Sequence, residues 1–407
     1  MTERVAMPIT GAQRGGKALV LMSDFQLDTP TLDGQLHRAR QWAVDRAVTP
    51  VIERAGRGCG LEPDELAALW FSRVETETLY DLARAVHGSR GRQLETFSPL
   101  YMTNTCDAEC RMCGMRRDNR ALKRETAEID DIERQLRILS TRGMRAVALL
   151  TGEYRAATRP WAMRYVNSAL RVTQALGFGH VLINVGSIDA HEFDTLLAGI
   201  PRRADGSVQP KVTMSTFQET YSRDIYTKFM GSDADNPRAD FERRLTNFDR
   251  AYRAGMRVAN PGILVGLNPD LAFEMLALAL HARHLLALGM EVYLSVPRLR
   301  QIAGGRSKGG VCDGDFIRLV SLLSLGLPTC KIVITTREDA EIQHTLAPII
   351  AVISAGSAAV APYTENGARF PLDTSQFEVI DQRPFEEILR EHSVPGAVIE
   401  NFQPPGT

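Results

Sequence analysis

Three cysteines lie within one short segment of this sequence. Cys106, Cys110 and Cys113 are spaced as Cys-x-x-x-Cys-x-x-Cys, and no further cysteine or histidine lies nearby. Protein iron–sulfur clusters are normally held by four thiolates, so a cluster bound by three keeps one iron open to another ligand. The spacing therefore indicates a cluster at which chemistry takes place.

A zinc site or simple packing of buried thiols would also use cysteines. Structural zinc needs four closed ligands, often supplied as two Cys-x-x-Cys pairs, and the second pair is missing here. The other cysteines, Cys59, Cys312 and Cys330, are isolated, so we interpret them as small core residues. This cysteine usage fits a reducing, cytoplasmic compartment better than a disulfide framework.

The composition is that of a globular protein with a large core. The chain has 407 residues, of which 44% are hydrophobic and 24% charged. Its net charge of −1 provides no basic field for nucleic acid or an acidic membrane. No signal peptide is apparent, and the uncharged stretch 347–363 is shorter than the ~20 residues of a spanning helix. We therefore expect neither a nucleic-acid nor a membrane partner.

Short apolar runs alternate with helical patterns from residue 100 onward. The strand candidates are 100–103, 146–150, 181–185, 211–215, 258–265, 291–296, 331–335 and 349–354. Eight such alternations predict either a (β/α)8 barrel or an open parallel sheet. In both folds ligands bind at the carboxyl ends of the strands, and the cysteine segment directly follows the first strand.

The helices between the strands have recognisable ends. We expect Asp270 to cap a helix over 271–288, and Asp313 to cap one over 316–325. Within a helical N-terminal extension over 1–95, the clearest helix is 61–86. The barrel is assigned to 96–365, and 366–407 is expected to pack on it as a C-terminal segment.

Several strand-end motifs, together with the cysteines, carry a family resemblance. These are Thr151-Gly152-Glu153, Gln218-Glu219-Thr220-Tyr221, Gly262-Ile263-Leu264-Val265-Gly266-Leu267 and Thr335-Thr336-Arg337. Over roughly residues 95–395 the chain resembles the aromatic amino-acid lyase branch of the radical S-adenosylmethionine (SAM) enzymes. Within that branch its sequence is most similar to the tryptophan lyases, 3-methyl-2-indolic acid synthases.

The resemblance implies a [4Fe-4S] cluster and SAM as cofactors. The open iron would take the amino and carboxylate groups of SAM, and the backbone at Met112 would contact the adenine. Gly152 would let the backbone approach while Glu153 accepts from the SAM ammonium group. Arg244 is the candidate for the SAM carboxylate because a guanidinium presents a bidentate fork, and its neighbour Arg243 is the competing choice.

Other positions carry over with alternatives still open. Gly262 and Gly266 would shape a strand that packs the adenine. Glu219 would bind a ribose hydroxyl or the substrate amine. The alternative is that Glu219 only caps a helix, as an acidic residue in a first helical turn can.

The resemblance also implies a set of substrate residues. Arg337 would clamp the substrate carboxylate and Ser354 would assist it, while Tyr101 would orient the substrate. Without the resemblance, Arg337 would be interpreted as a surface ion-pair partner of Glu338 or Asp339, Ser354 as a turn residue and Tyr101 as a core residue.

The expected reaction is a radical rearrangement of L-tryptophan. SAM would be cleaved to a 5′-deoxyadenosyl radical that takes hydrogen from the substrate amine, giving 3-methyl-2-indolic acid for natural-product (antibiotic) biosynthesis. The segment Ser-Val-Pro-Arg-Leu-Arg at 295–300 favours this substrate. The alternatives are a tyrosine lyase that gives p-cresol and dehydroglycine, as in thiamin synthesis, and a related radical SAM enzyme that acts on another aromatic amino acid. No cysteine follows Cys330, which argues against the related hydrogenase-maturation activity.

Two further expectations complete the functional prediction. The resemblance implies an external electron donor of the flavodoxin or ferredoxin type. A functional class without radical chemistry also stays open, namely a zinc- or cluster-stabilised binding protein.

Overall fold

Eight parallel strands close into a barrel in the computed structural model, which describes residues 23–45, 48–89, 93–305, 310–393 and 398–404. The strands are β1 (Gln93–Tyr101), β2 (Ala146–Leu150), β3 (His180–Asn184), β4 (Lys211–Ser215), β5 (Val258–Asn260), β6 (Glu291–Ser295), β7 (Lys331–Thr335) and β8 (Val352–Ser354). Closure comes from β1 pairing with β8, with Phe97 opposite Ser354. The predicted (β/α)8 barrel is confirmed.

Helices surround the barrel and precede it. They are α1 (Thr29–Asp45), α2 (Thr49–Gly56), α3 (Pro63–Phe71), α4 (Thr76–Gly88), α5 (Ile129–Thr141), α6 (Arg159–Ala175), α7 (Glu192–Leu196), α8 (Arg223–Met230), α9 (Phe241–Leu245), α10 (Asn247–Arg253), α11 (Leu271–Ala287), α12 (Asp313–Gly326), α13 (Ala340–Leu346) and α14 (Phe385–His392). A short hairpin joins β9 (Tyr363–Thr364) to β10 (Gly367–Ala368), and β11 (Val398–Glu400) pairs in parallel with β1. The first 22 residues of the predicted N-terminal extension lie outside the described part. Within that part, no helix is long and apolar enough to cross a membrane.

The predicted bounds hold for β2, β4 and β7 and fail for β1, β5 and β8. Strand β1 begins at Gln93 because its polar side chains are satisfied: Thr96 Oγ1 donates to Ile353 O (2.8 Å) and Ser98 Oγ to Ala355 O (2.9 Å). Strand β5 ends before Pro261, which has no N–H for the ladder. Strand β8 begins late because a 3-10 turn occupies Ala347–Ile349.

The predicted helix 61–86 is divided into α3 and α4 by an extended residue, Ser72. The side chain of Arg318, on α12, donates to the carbonyls of Leu69 (2.5 Å) and Val74 (2.7 Å). These donors satisfy carbonyls at the break, where a continuous helix would use its own N–H groups.

The predicted cap is correct for one helix and wrong for another. Asp270 caps α11 as predicted, because its side chain accepts from Phe273 N. Cys312, rather than Asp313, caps α12, since Asp313 pairs with Arg298 (2.5 Å).

A polar network fills the amino-terminal end of the barrel. Tyr293 donates to Glu95 (2.5 Å) and accepts from Lys211 (2.6 Å), while Lys331 also pairs with Glu95. An apolar layer that includes Phe97, Leu182 and Val333 lies within the barrel as well. A buried carboxylate such as that of Glu95 needs hydrogen-bonding or charged partners. We therefore interpret this end of the barrel as stabilising the fold and the opposite end as the place where ligands bind.

Substituting Glu95 by Ala tests that network. We expect the free energy of unfolding to fall by about 3 kcal/mol, because Lys331 and Lys211 keep their charges beside the vacated position. Glu133→Ala, which removes the exposed pair with Arg137, is the control and should cost under about 1 kcal/mol. Urea unfolding measures both, and equal losses would contradict the interpretation.

Candidate active site

One cavity at the carboxyl ends of the strands gathers most of the predicted site residues. Those that line it are Tyr101, Cys106, Cys110, Met112, Cys113, Gly152, Glu153, Glu219, Arg244, Arg337 and Ser354. Gly262 and Gly266 are not among the lining residues, although Leu264 between them is. Two segments far apart in sequence, 101–113 and 337–354, therefore meet at one site.

Backbone N–H groups point at the sulfur atoms of the cysteine segment. Cys106 Sγ accepts from Glu153 N (3.3 Å) and Ala108 N (3.4 Å), and Cys113 Sγ accepts from Met115 N (3.4 Å). Hydrogen bonds to sulfur are a feature by which proteins tune iron–sulfur clusters. Two of the three sulfurs, those of Cys106 and Cys113, therefore accept backbone hydrogen bonds.

Glycine at position 152 permits the backbone after β2 to lie against the cysteine segment. A Cβ there would lie 2.1 Å from Thr105 O and 2.7 Å from Cys106 Cα. Any larger residue would push the turn after β2 away from the cysteine segment. The close approach of backbone that the sequence motif implies is therefore present.

Burial affects the protonation of these thiols. It raises the pKa of Cys106 to about 12 and also raises the pKa of Cys110. Without a metal both groups stay protonated at neutral pH, so cluster binding must release protons.

The donor set fits a cluster better than a single ion. Within the ranges described, no group of three or more His, Cys, Asp or Glu side chains is arranged to hold one metal ion. A cubane differs because each thiolate binds its own iron, so the sulfurs need not converge on one point. Cys106, Cys110 and Cys113 would hold the cluster.

A buried ion pair lies beside the cysteine segment. Arg244 Nη1 is 3.1 Å from Glu153 Oε2, and both side chains are at most 5% exposed. Ser187 N donates to Glu153 Oε1 (2.9 Å), and Arg244 Nε donates to Phe217 O (2.9 Å). The pair presents one anionic and one cationic group, complementary to an amino acid's ammonium and carboxylate.

The structure also separates the two adjacent arginines. Arg243 pairs with Asp189 (2.8 Å) and does not line the cavity, whereas Arg244 does. Of the two guanidinium groups, only that of Arg244 lines the cavity.

Glu219 has an unusual backbone and a partner that sequence reasoning missed. Its φ of 68° is uncommon for a non-glycine residue, and its carboxylate pairs with Arg238 (2.7 Å). Arg238 lines the cavity with a partly buried side chain but lies outside any helix or strand, so no periodic pattern marks it. The capping alternative for Glu219 does not hold, because Ser222 caps α8.

The predicted substrate residues lie on neighbouring strands. Ser354 ends β8, and Arg337 follows β7 with its guanidinium carbon 3.4 Å from the centroid of the Phe377 ring. Burial is the main cause that lowers the pKa of Arg337. Tyr101 donates to Gln376 Oε1 (2.5 Å), and burial raises the pKa of its hydroxyl.

Arg337 stays available for an anion. Glu338 pairs instead with Arg298 and with Arg300 (2.7 Å). Among the residues described, no carboxylate lies within ion-pair distance of Arg337. The surface ion pair with Glu338 that the sequence left open is therefore wrong, and so is the one with Asp339.

Known proteins resemble this chain over most of its length, although no protein-family model matches it. The 2-iminoacetate synthases of Salmonella typhimurium (strain LT2) and Escherichia coli (strain K12) are each 28% identical over 309 residues, covering 73% of this chain and 76% of theirs. The solved structure of HydG, a maturase of the [FeFe]-hydrogenase, has a TM-score of 0.75 at 27% identity and covers 88% of this chain and 78% of its own. Methylornithine synthase (PylB) shares the fold, with a TM-score of 0.66 at 18% identity over 86% of this chain and 97% of its own.

Replacing each clustered cysteine by Ala tests the metal centre. We expect a folded protein without bound iron and sulfide after anaerobic reconstitution, because each of the three thiolates is predicted to bind one iron. Cys59 and Cys312 are exposed rather than core residues as predicted. Cys59→Ala is therefore the control and should keep the full iron content. Circular dichroism and iron analysis measure the two properties. Loss of the fold together with the metal would instead favour a metal-stabilised binding protein.

The adjacent arginines provide a matched pair of variants. Arg244→Met should lower SAM affinity at least about tenfold, since a charge-assisted hydrogen bond contributes ~1.5–3 kcal/mol. Arg243→Met should change it little. Equilibrium binding of SAM to the reconstituted protein measures both, and an equal loss in the two variants would contradict the assignment of Arg244.

Proposed function

We propose that this chain, a carbon–carbon lyase of the radical SAM type with a [4Fe-4S] cluster and SAM as its cofactors, acts on L-tyrosine. The proposed reaction breaks the Cα–Cβ bond and gives p-cresol and dehydroglycine. The similarity to two 2-iminoacetate synthases over 309 residues carries this proposal. 2-Iminoacetate is the carboxylate form of dehydroglycine, the fragment that keeps the substrate's amine and carboxylate.

The protein would position SAM through groups of opposite charge. Glu153 would accept from the ammonium group and Arg244 would donate to the carboxylate, which replaces the ion pair that the two side chains make with each other. The backbone at Met112 would lie against the adenine. When bound, the cluster and SAM supply a radical that takes a hydrogen atom from the substrate amine. A flavodoxin- or ferredoxin-like protein would supply the electron.

The substrate carboxylate would bind at the opposite wall of the cavity. Arg337 offers a bidentate donor pair, and its contact with Phe377 restricts the guanidinium plane. Ser354 would add a further donor to the carboxylate. Fixing the carboxylate in this way would leave the amine, rather than the side chain, turned toward SAM. Tyr101 would limit how the amine can turn.

Tryptophan is the second candidate substrate. The motifs Cys-Gly-Met-Arg-Arg from Cys113 and Ser-Val-Pro-Arg-Leu-Arg from Ser295 resemble those of the tryptophan lyases. Tyrosine and tryptophan carry the same amine and carboxylate, so either substrate would make the same contact with Arg337. They differ in the bond that breaks and in the product.

An anaerobic assay with SAM, dithionite and a panel of aromatic amino acids tests the proposal. We expect tyrosine to yield 5′-deoxyadenosine, p-cresol and dehydroglycine, detected by liquid chromatography with mass spectrometry. Turnover of tryptophan to an indole acid while tyrosine stays inert would overturn the substrate assignment. Absence of 5′-deoxyadenosine with every amino acid would overturn the reaction class.

Arg337→Lys tests the carboxylate clamp in the same assay. A lysine cannot form the bidentate contact, so we expect KM for the amino acid to rise about tenfold or more. SAM affinity should stay unchanged. Arg390→Lys, at an exposed position on α14, is the control and should leave KM as it is.

A further inference from the structure

Gln376 lies between a cluster cysteine and a hydroxyl on the substrate side of the cavity. Its Oε1 accepts from Tyr101 (2.5 Å), and its Nε2 donates to Cys113 Sγ (3.3 Å). Because the tyrosine hydroxyl donates to the oxygen, the NH2 end of the amide faces the sulfur. One side chain therefore contacts both halves of the site.

The backbone around Gln376 is joined to the cysteine segment. Gly114 N donates to Gln376 O (2.9 Å), and a Cβ on Gly114 would lie 2.6 Å from that oxygen. Asn104 Nδ2 donates to Thr374 O (2.9 Å) on the other side of the segment. The backbone at Gln376 is thus held in place by contacts that do not involve the Gln376 side chain.

The next residue along the chain reaches the substrate clamp. Phe377 lies under the guanidinium of Arg337. Two consecutive residues of the C-terminal segment therefore contact the site. Gln376 contacts Cys113 and Tyr101, and Phe377 contacts Arg337. Binding of an amino acid at Arg337 and Tyr101 would act directly on the position of Gln376.

We propose that Gln376 is a positioning residue that couples amino-acid binding to the reduction potential of the cluster. Its N–H donor stabilises the more negative, reduced cluster and so raises the potential. The hydrogen bond between Tyr101 and Gln376 Oε1 sets the orientation of the Gln376 Nε2 donor toward Cys113 Sγ. The amino-acid half of this proposal rests on the proposed function, and the cluster half does not.

Two substitutions of Gln376 test the cluster half. Gln376→Glu keeps an acceptor for Tyr101 but replaces the donor at Cys113 by a carboxylate oxygen, and Gln376→Met removes both contacts without adding charge. Both should shift the midpoint potential downward, the Glu variant further. Gln382→Glu, at an exposed position on the same segment, should leave it unchanged.

The measurement is a redox titration of the reconstituted protein with SAM and without amino acid, followed by electron paramagnetic resonance. Iron content is measured on each sample. If the Glu variant fails to assemble a cluster, the Met variant decides. Potentials equal to that of the unsubstituted protein would overturn the cluster half.

Adding amino acid tests the coupling. In the unsubstituted protein, tyrosine should change the spectrum and potential of the reduced cluster. Gln376→Met and Tyr101→Phe should lose this change while still binding tyrosine, with KM raised about fivefold for one lost hydrogen bond. A change as large in both variants as in the unsubstituted protein would overturn the coupling. If tyrosine is not a substrate at all, the proposed function fails, yet the titration without amino acid still decides the cluster half.

Discussion

The close contact between the turn after β2 and the cysteine segment is the constraint on which the site depends. Gly152 has no side chain, so its backbone can lie against Thr105 and Cys106. This approach brings Glu153 N within hydrogen-bonding distance of Cys106 Sγ and directs the Glu153 carboxylate toward Arg244. Cys106 and Glu153, the proposed cluster ligand and ammonium acceptor, are therefore placed relative to one another by backbone, and the Glu153 side chain then holds Arg244.

The charged groups of the cavity fall into two kinds. Glu153 pairs with Arg244, both buried, and Glu219 pairs with Arg238, both partly buried. A buried charge without such a partner is costly. Arg337 instead rests on the face of Phe377, which is a weaker interaction than an ion pair. A ligand that binds Glu153 and Arg244 replaces the ion pair between them with new ion pairs. An anion that binds Arg337 adds an ion pair without breaking one.

The two ends of the barrel divide stability from chemistry. At the amino-terminal end, Glu95 and its lysine partners form a closed network, and burial lowers the pKa of His180 to about 3, which keeps it neutral. At the carboxyl end, the cavity carries glycine turns, arginines and free thiols. The C-terminal segment crosses this end, where Gln376 contacts Cys113 and Phe377 contacts Arg337.

The sequence alone determined the features that are local. Three cysteines in one loop, Gly152-Glu153 after a strand and the regular alternation of strands and helices each lie within a few residues, so spacing predicted the cluster and the barrel. Only the tertiary structure decided barrel closure, which of Arg243 and Arg244 lines the cavity, and the contacts of Arg238, Arg318 and Gln376. These depend on contacts between residues distant in the chain, which no local period records. Residues from several strands line the cavity, so short motifs did not decide between tryptophan and tyrosine.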